Sequence, residues 1–225
     1  MWKLRLNKVM HEFKVGGVPA VARHVGQRLV RRNAFLVFVT DLRTPQPAYA
    51  CPEGYALRLL PSDKAAMDRL VAFWMASYAE NYPLFYDEQL VRQLLEARFA
   101  AEELCFVAEH GDAIAHFHWV SRFGRCPFNQ EEPLKFLPFR PGIDAYGYNI
   151  FTHPEHRGKG LMLATLSFLC DWLRGHGHER LWSCVGTKNA ASIKLHHKVA
   201  THVSTLYVTR YLVFDRARLV PASGS

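Results

Sequence analysis

The segment Ile150-Phe151-Thr152-His153-Pro154-Glu155-His156-Arg157-Gly158-Lys159-Gly160-Leu161 constrains this chain more than any other. An extended apolar run stops at a proline, passes through a short basic glycine turn and enters an apolar helix at once. Such a turn aims several backbone N–H groups at one point, at the positive end of a helix dipole, which suits a phosphate or pyrophosphate. Gly158 and Gly160 let the backbone approach an anion closely, and Arg157 and Lys159 add charge. Turns of this kind also occur without ligands, so the flanking segments decide.

From Tyr55 the pattern reads β-α-α-β-β-β-α-β-α-β. Residues 55–60 form a strand, and Ser62-Asp63 starts a helix that reaches about Tyr78. A second helix is predicted over 86–99, and a hairpin over 103–110 and 113–121 around Gly111-Asp112. Residues 123–142 hold four prolines and read as a long loop. Strand 144–152, helix 158–174, strand 180–185, helix 189–198 and strand 203–213 complete an α/β (α+β) unit.

Two motifs carry a family resemblance. Arg157-Gly158-Lys159-Gly160-Leu161 after a strand ending in x-Pro is similar to Arg/Gln-x-x-Gly-x-Gly/Ala, with Met162 at the last small position. Asn189-Ala190-Ala191-Ser192-Ile193-Lys194-Leu195-His196-His197-Lys198 resembles Asn-x-x-Ala/Ser-x-x-hydrophobic-Tyr-x-Lys. Both are signatures of the GCN5-related N-acetyltransferase (GNAT) superfamily, and the resemblance covers roughly residues 55–215. It implies a mixed, splayed central sheet flanked by helices, which admits acetyl-CoA, or another acyl-CoA, between two strands as co-substrate.

The resemblance assigns the cofactor to Arg157, Gly158, Lys159, Gly160, Leu161 and Met162, with Asn189 on its arm and backbone groups of Ile150, Phe151 and Thr152 along pantetheine and thioester. A bulge near those three residues would free their N–H groups. Met162 can turn its side chain into the core while its N–H still donates. Asn189 is equally suited to cap its helix. His196 holds the position of the thiolate-protonating tyrosine, and an imidazolium donates a proton near neutral pH. The amine must also lose a proton. His116 and His118 share one strand face, and Asp144, Tyr146 and Tyr148 share another; either set can line the acceptor side. Tyr148 suits a wall or relay better than a base, because its ordinary pKa is about 10.

The net charge of +8 is uneven: residues 1–33 carry eight basic side chains against Glu12 alone, which leaves about +1 for the remainder. Val18, Val21, Ala22, Val25 and Leu29 recur at helical spacing after Gly16-Gly17. A basic helical extension over 1–50, with a strand at 34–40 and a linker at Thr44-Pro45-Gln46-Pro47, is expected to precede an acyltransferase domain at 51–225. Its arginines fit either a solvated face or a polyanionic partner, an anionic membrane surface or an acidic carrier protein. No nucleic-acid motif accompanies them. Five scattered cysteines, without a Cys-x-x-Cys pair, fit reduced thiols and a cytoplasmic setting, with a peripheral place on the inner membrane face left open.

Twelve histidines raise the question of a metal, yet the pairs His116/His118, His176/His178 and His196/His197 lack an evident third ligand, so none is expected. The acceptor, a small-molecule primary amine, is expected near residues 73–86, where aromatic rings mix with Glu80 and Asn81. An amino sugar or an amino acid fits. The rival is a non-catalytic acyl-CoA-binding or regulatory module on the same fold.

Overall fold

The computed structural model describes residues 30–78, 87–126, 131–211 and 215–222. In chain order these are β1 (Val30–Asp41), β2 (Tyr55–Leu59), α1 (Lys64–Tyr78), α2 (Glu88–Ala100), β3 (Leu104–His110), β4 (Ala113–Ser121), β5 (Asp144–Thr152), α3 (Leu161–Gly175), β6 (Arg180–Gly186), α4 (Ala190–His196), β7 (Thr201–Tyr211) and β8 (Asp215–Pro221). Helices α1 and α2 start at polar caps. The Asp63 carboxylate accepts from the Ala66 N–H at 2.8 Å, and Asp87 accepts from the Leu90 N–H at 2.6 Å. Among its described residues, the predicted loop over 123–142 contains a helical turn at Glu131–Leu134.

The strands form one eight-stranded sheet in the order β2-β3-β4-β5-β6-β1-β7-β8, and the β5–β6 pair alone among these neighbours is parallel. Helices α1 and α2 cover one face, where Leu70, Trp74 and Leu95 pack on Phe117, Trp119, Tyr146 and Tyr148. Helix α3 covers the other, burying Leu166, Leu169 and Leu173 against Phe106, Val120, Ala145 and Leu181. Each such side chain contributes about 1.5–3 kcal/mol by leaving water, enough to hold both layers on a sheet whose ends remain available for a site.

The strand assigned to a separate extension lies inside this sheet. β1 is hydrogen-bonded along both edges, with Phe38 opposite Ser183 of β6 and His202 of β7. An unbroken apolar run over 34–39 has two faces to bury, and a central strand buries both. Val37 joins the core under α1 and α2, while the Phe38 ring packs 5.2 Å from His196 and 5.1 Å from His197. Residues 30–41 therefore share the sheet with the unit drawn at 51–225. The helix expected from Val18 lies outside the described residues. β8 was not anticipated, since the predicted elements end with the strand at 203–213. No helix among the described residues is long and apolar enough to cross a membrane.

Candidate active site

β5 and β6 run side by side only from Asp144↔Arg180 to Gly147↔Ser183. Beyond that point β5 stays with β4 as far as Thr152↔His116, and β6 stays with β1 as far as Gly186↔Phe35. The two parallel strands thus part, and backbone groups facing the gap lose their ladder partners. The β4–β5 register also shifts: Trp119 pairs with Tyr148 and His118 with Ile150, leaving Asn149 as an extra residue at φ +45°. This is the bulge that the resemblance implied, and it lies one residue before Ile150.

The turn after β5 presents backbone rather than side chains. Gly158 and Gly160 sit at φ +78° and +80°, and nothing stands within 4 Å of the position a Cβ would take at either. Their lack of a side chain is needed for the left-handed backbone, and the space above them is open. No side chain caps α3, so the N–H groups of its first turn, Met162 included, point outward. Leu161 is buried, and Met162 packs on the core beneath α3, which removes its thioether from the anion's approach. Arg157 and Lys159 are drawn back onto the protein. Arg157 Nε donates to the Thr152 carbonyl at 3.2 Å, and Lys159 Nζ donates to the Tyr55 hydroxyl at 3.0 Å. That hydroxyl bonds His156 Nδ1 at 2.7 Å, which ties β2 to the turn. His153, Glu155 and His156 bring possible ligand atoms within 4.8 Å of one another, a grouping absent from the pairs considered in sequence. With one His156 nitrogen engaged and Lys159 alongside, it is assigned no metal role.

The histidines expected to do chemistry are buried on the α3 side. His116 donates or accepts through Nδ1 with Thr152 Oγ1 at 2.7 Å, and burial pushes its pKa down to about 3. His118 has no hydrogen-bond partner at either nitrogen among the described residues; burial, then His116 and His196, hold it well below its ordinary range. Neither faces the α1–α2 side where the acceptor was expected, which corrects their assignment as base. His196 is 4% exposed and its pKa is lowered by burial. Its Nδ1 bonds the Ser192 carbonyl at 2.8 Å, so the neutral ring carries its proton there and offers only a lone pair at Nε2. An imidazolium acid is not what this environment supports. Asn189 caps α4, accepting from the Ser192 N–H at 3.1 Å, and its amide nitrogen stays available.

The α1–α2 side holds a group that the sequence reading missed. Tyr148 stacks on Tyr146 at 6.1 Å, and its hydroxyl stands beside the Glu103 carboxylate without an ideal hydrogen bond to it. Glu103 accepts from Ser121 Oγ at 2.8 Å and from the Cys126 N–H at 3.2 Å. Burial pushes its carboxyl up to about 7, against the pull of these hydrogen bonds and of the Arg98 charge. A carboxyl poised there exchanges protons at neutral pH. Its one sequence signal is its place as the second of two acids, Glu102-Glu103, directly before the apolar run Leu104-Cys105-Phe106-Val107. Asp144, by contrast, is an ion-pair centre. Despite burial, Arg180 at 2.8 and 2.9 Å and Arg140 hold it below the usual carboxylate range, which pins β5 to β6 before they part. Phe73 and Trp74 are core residues, and positions 79–86, with Glu80 and Asn81, lie outside the described residues.

Comparison with known proteins agrees with this geometry. A Salmonella typhimurium L-methionine sulfoximine/L-methionine sulfone acetyltransferase is 39% identical over 57 residues, 25% of this chain and 33% of that protein. The uncharacterized N-acetyltransferase YobR of Bacillus subtilis is 37% identical over 71 residues, 31% of this chain and 29% of that protein. The chain thus matches about a third or less of the length of these curated relatives. A GCN5-related N-acetyltransferase from Sphaerobacter thermophilus superimposes with a TM-score of 0.52 at 14% identity, covering 92% of this chain and 58% of that one. At that identity the likeness concerns the fold. The Acetyltransferase (GNAT) family model matches residues 71–200, more than half the chain, and the protein belongs to that family.

Proposed function

We propose that the protein moves an acetyl group from acetyl-CoA to the primary amine of a small molecule of the amino-acid class. The observation that carries this reading is the parting of β5 from β6 at Gly147, on the strand that runs into the uncapped turn at Gly158–Gly160. In this reading the N–H groups from Gly158 to Met162 hold the pyrophosphate, and Asn189 contributes its amide nitrogen. Backbone N–H groups of Ile150 and Thr152 line the pantetheine arm and the thioester carbonyl, whereas that of Phe151 alternates to the β4 side, as the His153 N–H bond to the Ala115 carbonyl indicates. The preference for an amino acid over an amino sugar rests on the partial similarity to the enzyme named for methionine sulfoximine and sulfone.

The amine nitrogen attacks the thioester carbonyl carbon, an oxyanion forms against the strand N–H groups, and the C–S bond breaks to release the CoA thiolate. The amine's proton passes through the Tyr148 hydroxyl to Glu103. Tyr148 serves as conduit and not as base, since burial lifts its own pKa far above the neutral range. Water protonates the thiolate in place of His196. The neutral His196 also favours the second reading, a module that binds acyl-CoA without turnover.

Calorimetric titration with acetyl-CoA and CoA, followed by thiol release against amino acids, methionine sulfone and glucosamine, separates the readings. Saturable binding with turnover of an amino acid supports the proposal, and turnover of glucosamine alone moves the acceptor to amino sugars. Binding without any turnover leaves the module, and no binding ends both. For the basic segment 1–33, largely outside the described residues, the proposed partner is an anionic membrane or an acidic carrier. Absence of sedimentation with anionic liposomes removes the membrane.

A further inference from the structure

Arg98, in the last turn of α2, is 1% exposed. Its guanidinium lies 4.9 Å from the Trp119 ring, 5.2 Å from Tyr148 and 5.4 Å from Trp74. An arginine does not shed its charge, and a charge in such surroundings is costly unless it is paired and hydrogen-bonded. Its charge acts on Glu103, and the Asn149 side chain meets it directly. The near edge of that carboxamide is 2.7 Å from Nη1 and 2.9 Å from Nη2, and it is the oxygen, because a guanidinium offers only donors.

Asn149 is also the extra residue of the β5 bulge, at φ +45°. Asparagine is tolerated in that conformation but not held there by its own backbone. A two-pronged contact from a caged, planar guanidinium fixes the side chain, and through it the peptide planes on either side.

We propose that Arg98 is a positioning residue: by gripping Asn149 Oδ1 it locks the β5 bulge and so fixes the direction of the N–H groups that line the β5–β6 gap. This rests on the acyl-CoA reading of that gap. The sheet's aromatic packing holds Arg98 still, and the grip passes that rigidity to a strand that has lost its β6 partner.

The test is a double-mutant cycle with Arg98→Met, Asn149→Gly and the pair, read by CoA titration, by the KM for acetyl-CoA against kcat, and by ligand-free melting. Glycine accepts the left-handed backbone, so Asn149→Gly removes the grip and spares the conformation. Each single change is expected to weaken CoA binding about tenfold, and the pair no further, because the second cut severs a link already broken. Asn149→Asp keeps the accepting oxygen and is expected to retain wild-type affinity within about threefold. Additive losses in the pair, or wild-type affinity in Asn149→Gly, overturn the proposal. Should Arg98→Met not fold, Arg98→Lys replaces it, keeping charge and losing the two-pronged contact. If the wild type binds no CoA, the acyl-CoA reading falls by itself. The melting cycle then judges the grip alone, with non-additivity sustaining it and additivity ending it.

Discussion

The His118 imidazole fills the space that a side chain at Gly147 would need, since a Cβ there would stand 2.7 Å from His118 Nε2. Gly147 is also the last β5 residue paired with β6, so the ring sits at the fork of the two strands. Gly147→Ala is expected to destabilise the protein by about 1–3 kcal/mol through overpacking. His118→Ser in the same chain should recover much of that loss. Urea unfolding of both variants measures it, and an unaltered midpoint for Gly147→Ala would contradict the contact.

Acid should unfold this protein from the histidines inward. Burial holds His116 at about 3 and lowers His118 and His196, against an ordinary value of 6.5. Below about pH 6.5 the unfolded chain binds protons that the folded one refuses, so stability falls with pH in that range. Glu103, raised from 4.5 to about 7, acts the other way, losing stability as pH rises between those values. Three histidines outweigh one carboxyl, and the maximum is expected near pH 6.5–7. Unfolding free energies at pH 5.5, 6.5 and 7.5 check this, and His118→Leu should flatten the acid limb.

Glu103→Gln separates chemistry from stability. The amide relieves the buried charge, so melting at pH 8 should rise and the Glu103 contribution between pH 5 and 7 should vanish. Turnover should drop by about 10²–10⁴ while CoA affinity holds. In the wild type, activity should climb as pH passes through about 7, where Glu103 ionises. A variant with full turnover would return the base role to another group.

Gly160→Ala tests the turn. Its cost, about 1–2 kcal/mol, comes from the left-handed backbone alone, since no atom lies near enough to clash. CoA binding should weaken as well, because a methyl group then stands over the N–H groups. Gly175→Ala, at a glycine without positive φ and equally open, is the control and should be neutral or mildly stabilising. Equal effects of the two would detach the turn from cofactor binding.

His196→Phe is expected to keep turnover within about threefold and to lower the melting temperature, because the ring's work is a capping contact and packing on Phe38. A hundredfold fall in turnover at unchanged CoA affinity would restore it as the acid.

The glycine turn and the elements around it were legible because period, proline and glycine act locally. Asn189 announced its cap for the same reason. The candidate centre on the α1–α2 side was not legible. Glu103 and Arg98 look like surface charges at a helix end, and only the fold brings one against Tyr148 and the other against Asn149. His116 and His118 shared a strand face as read, but sequence does not say which layer a face meets. The bulge depends on register between two strands separated by a long loop, a relationship that no local pattern encodes.

The position of β1 carries a consequence for synthesis. Its partners are residues 180–186 and 201–211, so the strand that completes the middle of the sheet leaves the ribosome long before anything it can pair with. Closing so long a loop is slow, and an apolar strand waiting unpaired is exposed to aggregation. A chain beginning at residue 51 would suffer the converse, with β6 and β7 left as two raw edges facing a missing strand. Strand β1 is thus made well before its partners and is among the last elements to find its place.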